Sequence, residues 1–212
     1  VRATSGPSTC ETPRSRSQPA NVGRSDDRTL DMVRAIDDPK LRILETEWDF
    51  SRGATLLRDE TLRAMRACRH SWGVCIQADE VLHEAGVGPL REAIESAGET
   101  GPVEGIVVRY HHIFGRPDLE AVNRRWYRRE IRAVRLQPSL GVEPYRDAQG
   151  FRVFPGGRRV RARLADAEMF HYGWLRSAAA MQARGEVDRQ LYPGRWVPPR
   201  DEAAVRAAPS TH

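Results

Sequence analysis

Ser71-Trp72-Gly73-Val74-Cys75-Ile76-Gln77-Ala78-Asp79-Glu80-Val81-Leu82-His83-Glu84 begins apolar and ends in acid. Residues 72–76 predict a short buried strand; the chain then turns, and a helix opens at Gly86-Val87-Gly88-Pro89-Leu90. Carboxylates at the C-terminal end of a buried strand stand where open α/β sheets bind ligands. Asp79, Glu80 and His83 have the chemistry to hold a divalent metal or a sugar hydroxyl there. The competing reading of Asp79 and Glu80 is a helix-capping pair in a solvated turn. A buried strand before them favours a site, because unpaired acids are not usually held against a core.

The 212 residues suffice for one well-cored domain. At 40% apolar and 30% charged, the composition is that of an ordinary globular chain. No apolar run is long enough to predict a transmembrane helix, and no apolar h-region marks a secretory signal. Cys10, Cys68 and Cys75 lack CxxC spacing, which argues for a reducing compartment and against a zinc knuckle or disulfide scaffold. The expected location is the cytoplasm, up to the inner membrane surface. The net charge is +5, and Lys40 is the single lysine. Arg124-Arg125-Trp126-Tyr127-Arg128-Arg129 interleaves aromatics with arginines as a nucleic-acid surface would. Acids are interspersed throughout and no nucleic-acid motif is present, so the phosphate of a small ligand is the better partner.

Residues 1–20, rich in Ser, Pro, Thr and Arg, predict a disordered tail; 21–192 predict one domain, and Pro193 to His212 a second tail. Ser25 or Asp26 is placed to cap a helix with Leu30, Val33 and Ile36 on its apolar face, stopped by Asp37-Asp38-Pro39. Leu41 to Thr46 alternates and predicts a strand, and Thr55 to Arg69 a helix. After the opening stretch come a helix over 87–97 and a strand over Gly105 to His111. A looped insert from His112 to Asn123 and a strand within Arg125 to Leu136 follow. Residues 141–157 read as turns, 158–164 and 167–171 as short strands, and 175–190 as a helix. The fold class expected is α/β, a mixed sheet with helices on both sides. Neither GxGxxG nor a Walker A sequence is present.

Each candidate has a plain structural alternative. His171 is a half-buried histidine among aromatics unless the fold returns it to Asp79. His111 and His112 point to opposite faces of a strand, so at most one faces a cleft. Asp26 and Asp27 either cap a helix or meet a ribose or base. Asp147 either makes an Asx turn between Tyr145 and Phe151 or serves as a general base. Trp126, Tyr127, Tyr172 and Trp174 either fill a core or stack on sugars. Glu80-x-x-His83 and Glu168-x-x-His171 would suit a di-iron bundle only on long helices, and the second pair lies in a strand-like stretch.

Residues 21 to about 185 resemble the family 2-type glycosyltransferases of bacteria. The pieces that carry the resemblance include Ser25-Asp26-Asp27-Arg28-Thr29 and Asp38-Pro39-Lys40-Leu41-Arg42-Ile43-Leu44-Glu45-Thr46-Glu47-Trp48, followed by Gln77-Ala78-Asp79-Glu80-Val81-Leu82-His83-Glu84. Tyr110-His111-His112-Ile113-Phe114-Gly115, Tyr145-Arg146-Asp147-Ala148-Gln149-Gly150-Phe151-Arg152 and His171-Tyr172-Gly173-Trp174-Leu175-Arg176 continue it in order. The resemblance implies a GT-A fold with a Rossmann-like nucleotide-binding half. The implied activity transfers a sugar from a nucleotide-diphospho-sugar donor to an unidentified acceptor: a glycan, a lipid-linked sugar or a small molecule. Gln77-Ala78-Asp79 stands at the family's DxD position, so Asp79 would hold Mg²⁺ or Mn²⁺, with His171 as second ligand. Asp26, Asp27 and Gln77 would meet the nucleotide sugar, Glu80 and Trp174 the acceptor, and Asp147 or Glu130 would be the base. Gln77 replaces the first acid of the motif, and Arg28 stands where the family often has glycine. Residues 1–20 do not match the family's first strand-helix unit, so an N-terminally incomplete sheet is expected. The alternative is an inactive remnant or a non-catalytic binding module.

Overall fold

A computed structural model of the protein describes residues 22–23, 28–124, 126–194 and 207–209. The central sheet runs β4 (Glu80–Leu82), β11 (Ala162–Trp174), β5 (Gly105–Phe114), β7 (Arg129–Arg135), β3 (Trp72–Val74). β5 and β11 are parallel; the β11–β4, β5–β7 and β7–β3 pairs are antiparallel. β6 (Leu119–Ala121) folds back on the end of β5, and β12 (Ala207–Pro209), inside the segment expected to be a tail, pairs with β6. β8 (Val142–Tyr145), β9 (Gly150–Val153) and β10 (Arg158–Arg159) form a separate antiparallel sheet, and β1 (Val22–Gly23) pairs with β2 (Trp48–Asp49). The architecture is thus mixed α/β with flanking helices.

The helix signals of the sequence locate the helices: α1 (Thr29–Arg34) and α4 (Ala178–Leu191) fall on those expected through 30–36 and over 175–190. α2 (Thr55–Ala67) and α3 (Val87–Ala97) lie where apolar periodicity places them. Leu90, Ala93 and Ala97 of α3 pack on Ile106, Val108, Ala133, Ala165, Ala167 and Met169. Val134, the residue after Ala133, belongs to a second cluster with Val142, Phe151 and Val153, against which Met65 of α2 packs. Adjacent strand residues face opposite ways, so α3 and α2 cover opposite faces. A third cluster joins Trp48, Phe50 and Leu56 to Leu191 of α4 (Ala178–Leu191).

Several local expectations fail. Leu41 to Thr46 forms no strand, although its residues alternate; alternation yields a strand only where a partner edge exists. α1 (Thr29–Arg34) buries no residue and has Arg28 at its N-cap without a side-chain bond, so its apolar stripe is not a core face. The strand at 72–74 is a sheet edge with Val74 exposed, not a buried centre. The two short strands expected at 158–164 and 167–171 are largely one strand, β11, and the insert after His111 is a hairpin of β5 with β6. The turn-rich 141–157 segment contains the β8–β9 hairpin.

The opening stretch gives two strands, and they lie on opposite edges: among the described residues β3 pairs only with β7 and β4 only with β11. Residues 75–79 therefore carry the chain from one edge to the other. The Cys75 N–H donates to the Arg132 carbonyl (2.7 Å), and the Tyr172 N–H to the Asp79 carbonyl (2.8 Å).

Candidate functional site

The parallel register of β5 and β11 sets His171 beside His112 near the carboxyl ends of both strands. β4 lies antiparallel to β11 with Glu80 opposite His171, so Asp79 meets the same end. Tyr110, His112, Met169, His171 and Gly173 alternate onto one buried face. The position is the one expected of a ligand site, beyond the carboxyl ends of parallel strands.

Asp79 and His171, far apart in sequence, are brought together: Asp79 Oδ2 stands 3.5 Å from His171 Nε2. That gap is longer than the usual N–H···O hydrogen bond of roughly 2.7–3.2 Å. A carboxylate and an imidazole are the donor types that would hold a divalent cation here. A Cβ built on Gly173 would lie 2.5 Å from Asp79 Oδ2 and 2.6 Å from His171 Nε2. Only glycine lets the β11 backbone come this close to both atoms. Among the described residues no group of three or more His, Cys, Asp or Glu comes close enough to hold a metal. Two protein donors are still compatible with Mg²⁺, which commonly takes one or two carboxylates and completes its shell with waters and substrate phosphates.

Arg184 of α4 adds a cation. Its Nη1 lies 3.7 Å from Asp79 Oδ2 and donates to the Gly173 carbonyl at 2.9 Å; its guanidinium sits 5.2 Å over the Trp174 ring. Burial pushes the Asp79 carboxyl up, but His171 and the Arg184 charge outweigh it and hold the group below the usual carboxylate range. Behind His171, His112 Nδ1 lies 3.2 Å from His171 Nδ1, and His112 Nε2 lies 3.1 Å from the Tyr127 carbonyl. Burial first, then the neighbouring His171, pushes His112 down to about 4. Trp174 stacks with Phe114 at 6.1 Å and meets Trp126 edge-on at 5.2 Å, forming an aromatic wall beside Asp79 and Arg184.

Glu80 does not face an acceptor. Its side chain is 0% exposed and its oxygens accept from Arg132 Nη2 (2.6 Å), Arg132 Nε (3.0 Å), the Gln77 backbone N–H (3.0 Å) and the Tyr110 hydroxyl. With every side of the carboxylate occupied, the acceptor role expected of Glu80 is replaced by a structural one. Gln77 contributes that backbone N–H and so closes the turn before Asp79. Asp26 and Asp27 lie outside the described residues.

Arg132 reaches this place through a β-bulge. The β5–β7 register slips between Ile106↔Ala133 and Val107↔Ile131, leaving Arg132 as the extra residue. Arg132 Nη1 also donates to the Gln149 carbonyl (3.1 Å), tying the 146–149 turn to the β4 edge. In that turn Asp147 is flanked by Arg146 and Ala148 at φ 56° and 61°, a left-handed conformation uncommon outside glycine. Asp147 Oδ2 accepts from the Tyr192 hydroxyl (3.0 Å). Burial pushes the Glu130 carboxyl up; Arg132 opposes this, while the Glu80 and Asp147 charges add to it. A Cβ on Gly150 would stand 3.4 Å from Glu130 Oε1, so Glu130 lies beside the β8–β9 hairpin whose turn carries Asp147. Tyr110 and Tyr127, with ring centroids 5.0 Å apart, connect Arg132 to His112.

No protein-family model matches the chain, and no curated protein matches it in sequence.

The site includes residues that the sequence did not single out: Gly173, Arg184, Arg132 and the specific role of His112. Gly173 carried a signal, since a glycine between aromatics within a strand often marks a close approach. For His112, alternation with Tyr110 placed it on one face of the strand but did not say which face met Asp79. Arg184 and Arg132 looked like any of the chain's many arginines.

Proposed function

We propose that the protein is a GT-A-like glycosyltransferase that moves a sugar from a nucleotide-diphospho-sugar donor to an acceptor hydroxyl. The observation that carries this reading is the Asp79–His171 donor pair, 3.5 Å apart, which the β11 backbone approaches closely because residue 173 is glycine. Asp79 and His171 would hold Mg²⁺ or Mn²⁺, which when bound acts as a Lewis acid on the charge that develops on the departing diphosphate.

The chain's own residues do the rest. Arg184, close to Asp79, adds positive charge on the diphosphate side. The aromatic wall of Trp174, Trp126 and Phe114 gives sugar C–H groups a face to stack on. A carboxylate of the Glu130–Asp147 pair takes the proton of the acceptor hydroxyl. The hydroxyl oxygen bonds to the anomeric carbon, and the carbon–oxygen bond to the diphosphate breaks with its electron pair leaving on the diphosphate. Glu130 suits the role because burial raises its proton affinity toward that of a useful base.

The test is a thermal-shift panel of nucleoside diphosphates with and without Mn²⁺, followed by donor turnover in wild type and Asp79→Ala. A ligand that binds the native state raises its apparent stability. A Mn²⁺-dependent shift that Asp79→Ala abolishes, together with lost turnover, supports the reading. Equal turnover in both proteins sinks the role of Asp79.

The Arg184 guanidinium, 3.7 Å from Asp79, favours a second reading, a non-catalytic binding module. In it Arg184 supplies the cation for an anionic ligand and no metal is needed. Metal-independent binding of a nucleoside diphosphate without turnover would select it.

A further inference from the structure

The Asp79–His171 pair is backed by a hydrogen-bond chain whose polarity is set at its far end. The Tyr127 carbonyl can only accept, so His112 Nε2, 3.1 Å away, carries a proton and donates. His112 is buried, with 2% of its surface exposed, and above the ordinary imidazole range both rings are neutral. A neutral imidazole protonated at Nε2 offers a lone pair at Nδ1. His112 Nδ1 faces His171 Nδ1 at 3.2 Å, so the hydrogen between them belongs to His171. When His171 is neutral, its Nε2 is then bare, and this is the atom 3.5 Å from Asp79 Oδ2. A lone pair aimed at a carboxylate repels it unless a cation lies between.

We infer that His112 is a positioning residue: clamped by the Tyr127 carbonyl, it fixes His171 in its Nδ1–H tautomer and turns the Nε2 lone pair toward Asp79, making the two a ready donor pair for a divalent cation. The inference deepens the metal-site reading above and rests on it for the identity of the ion. The alternative tautomer would place an N–H on Nε2, facing Asp79, and remove the lone pair a metal needs. Metal-bound histidines commonly have their second nitrogen engaged by a carbonyl or carboxylate; here a second imidazole stands between His171 and the carbonyl.

Long-range ¹H–¹⁵N correlation on the metal-free full chain at about pH 9, above the ordinary imidazole range, reads both tautomers directly. Wild type is expected to show His112 protonated at Nε2 and His171 at Nδ1. His112→Phe removes the acceptor, so His171 should move its proton to Nε2, and Mn²⁺ affinity followed by electron paramagnetic resonance should fall about 10- to 100-fold. His112→Asn places an amide oxygen near the Nδ1 position and should preserve both the His171 tautomer and Mn²⁺ affinity to within about threefold.

Wild-type His171 protonated at Nε2 overturns the inference. So does a His112→Phe variant with unchanged tautomer and Mn²⁺ affinity. If His112→Phe fails to fold, the wild-type spectrum and the Asn variant decide: an Asn variant whose His171 switches to Nε2–H overturns it. Absence of Mn²⁺ uptake by wild type with the expected tautomer sinks the metal reading and the cation half of this inference. Mn²⁺ uptake with the opposite tautomer sinks the positioning role alone.

Discussion

Arg132 grips Glu80 through two nitrogens, Nη2 at 2.6 Å and Nε at 3.0 Å, with the two side chains 1% and 0% exposed. The pair links β7 to β4, the edge strand that follows Asp79. Tyr110 joins it through its hydroxyl, and the Arg132 guanidinium lies 4.9 Å over the Tyr110 ring. Burial disfavours the Arg132 cation, but the Glu80 charge more than compensates and holds Arg132 firmly protonated.

Removing one partner should therefore cost far more than removing both. Arg132→Met leaves a buried carboxylate without its cation and is expected to destabilise the fold by about 3–5 kcal/mol. Arg132→Met combined with Glu80→Leu should regain most of that loss. Urea midpoints for the two single variants and the double variant measure the coupling; strict additivity would mean that the pair is not the unit described.

Glu104 sets a pH dependence of stability. Its side chain is buried, and hydrogen bonds from Arg158 (2.7 Å) and Arg161 (2.8 Å) reach Oε1. The Arg158 contact, then the Arg161 contacts, bring its pKa down to about 2 against the cost of burial. A depressed carboxyl pKa contributes stability above the unfolded value of 4.5, and this contribution is lost as pH falls toward about 2. Both arginines are about half exposed, so solvent screening limits the contribution to roughly 1–2 kcal/mol. The stability gap between wild type and Glu104→Gln should be constant above about pH 5, shrink below it and vanish near pH 2.

Gly173→Ala tests the close approach of β11 to the Asp79–His171 pair. Its Cβ would stand 2.5 Å from Asp79 Oδ2 and 2.6 Å from His171 Nε2, so the pair must move apart. Mn²⁺ affinity should drop by about tenfold or more, and stability by about 1–3 kcal/mol from overpacking. Gly88→Ala is the control, since nothing lies within 4 Å of the added carbon. In helix α3 it should leave Mn²⁺ affinity unchanged and keep or slightly raise the melting temperature.

Glu130 is expected to govern the acid limb of any transfer activity. The base must be ionised to accept a proton, and burial raises the Glu130 pKa above its ordinary 4.5. Activity should therefore rise with pH along a limb centred above that value. Glu130→Gln should lower kcat by about 10²–10⁴-fold with little change in KM and remove the limb. A limb that persists in Glu130→Gln and disappears in Asp147→Asn would transfer the role to the neighbouring acid.

Some of this was legible in the residues alone. The apolar stripes of α2 and α3, the strand beginning at Gly105 and the placing of Asp79 after a strand at a chain turn all depend on neighbours a few positions away, which local periodicity records. The two-face rule for His111 and His112 came from the same source. Tertiary structure decided the rest, because strand partners and register are set by residues far apart in the chain. Leu41 to Thr46 alternates yet finds no partner edge among the described residues. Trp72–Val74 and Glu80–Leu82 lie on opposite edges although only five residues separate them. The bulge that turns Arg132 inward breaks the period on which a sequence reading relies. The parallel register of β5 with β11 and the pairing of β11 with β4 alone bring His112, His171, Gly173 and Asp79 to one point. A carboxylate following a strand at Asp79 was legible in the sequence; His171, Gly173 and Arg184 come to it through long-range contacts.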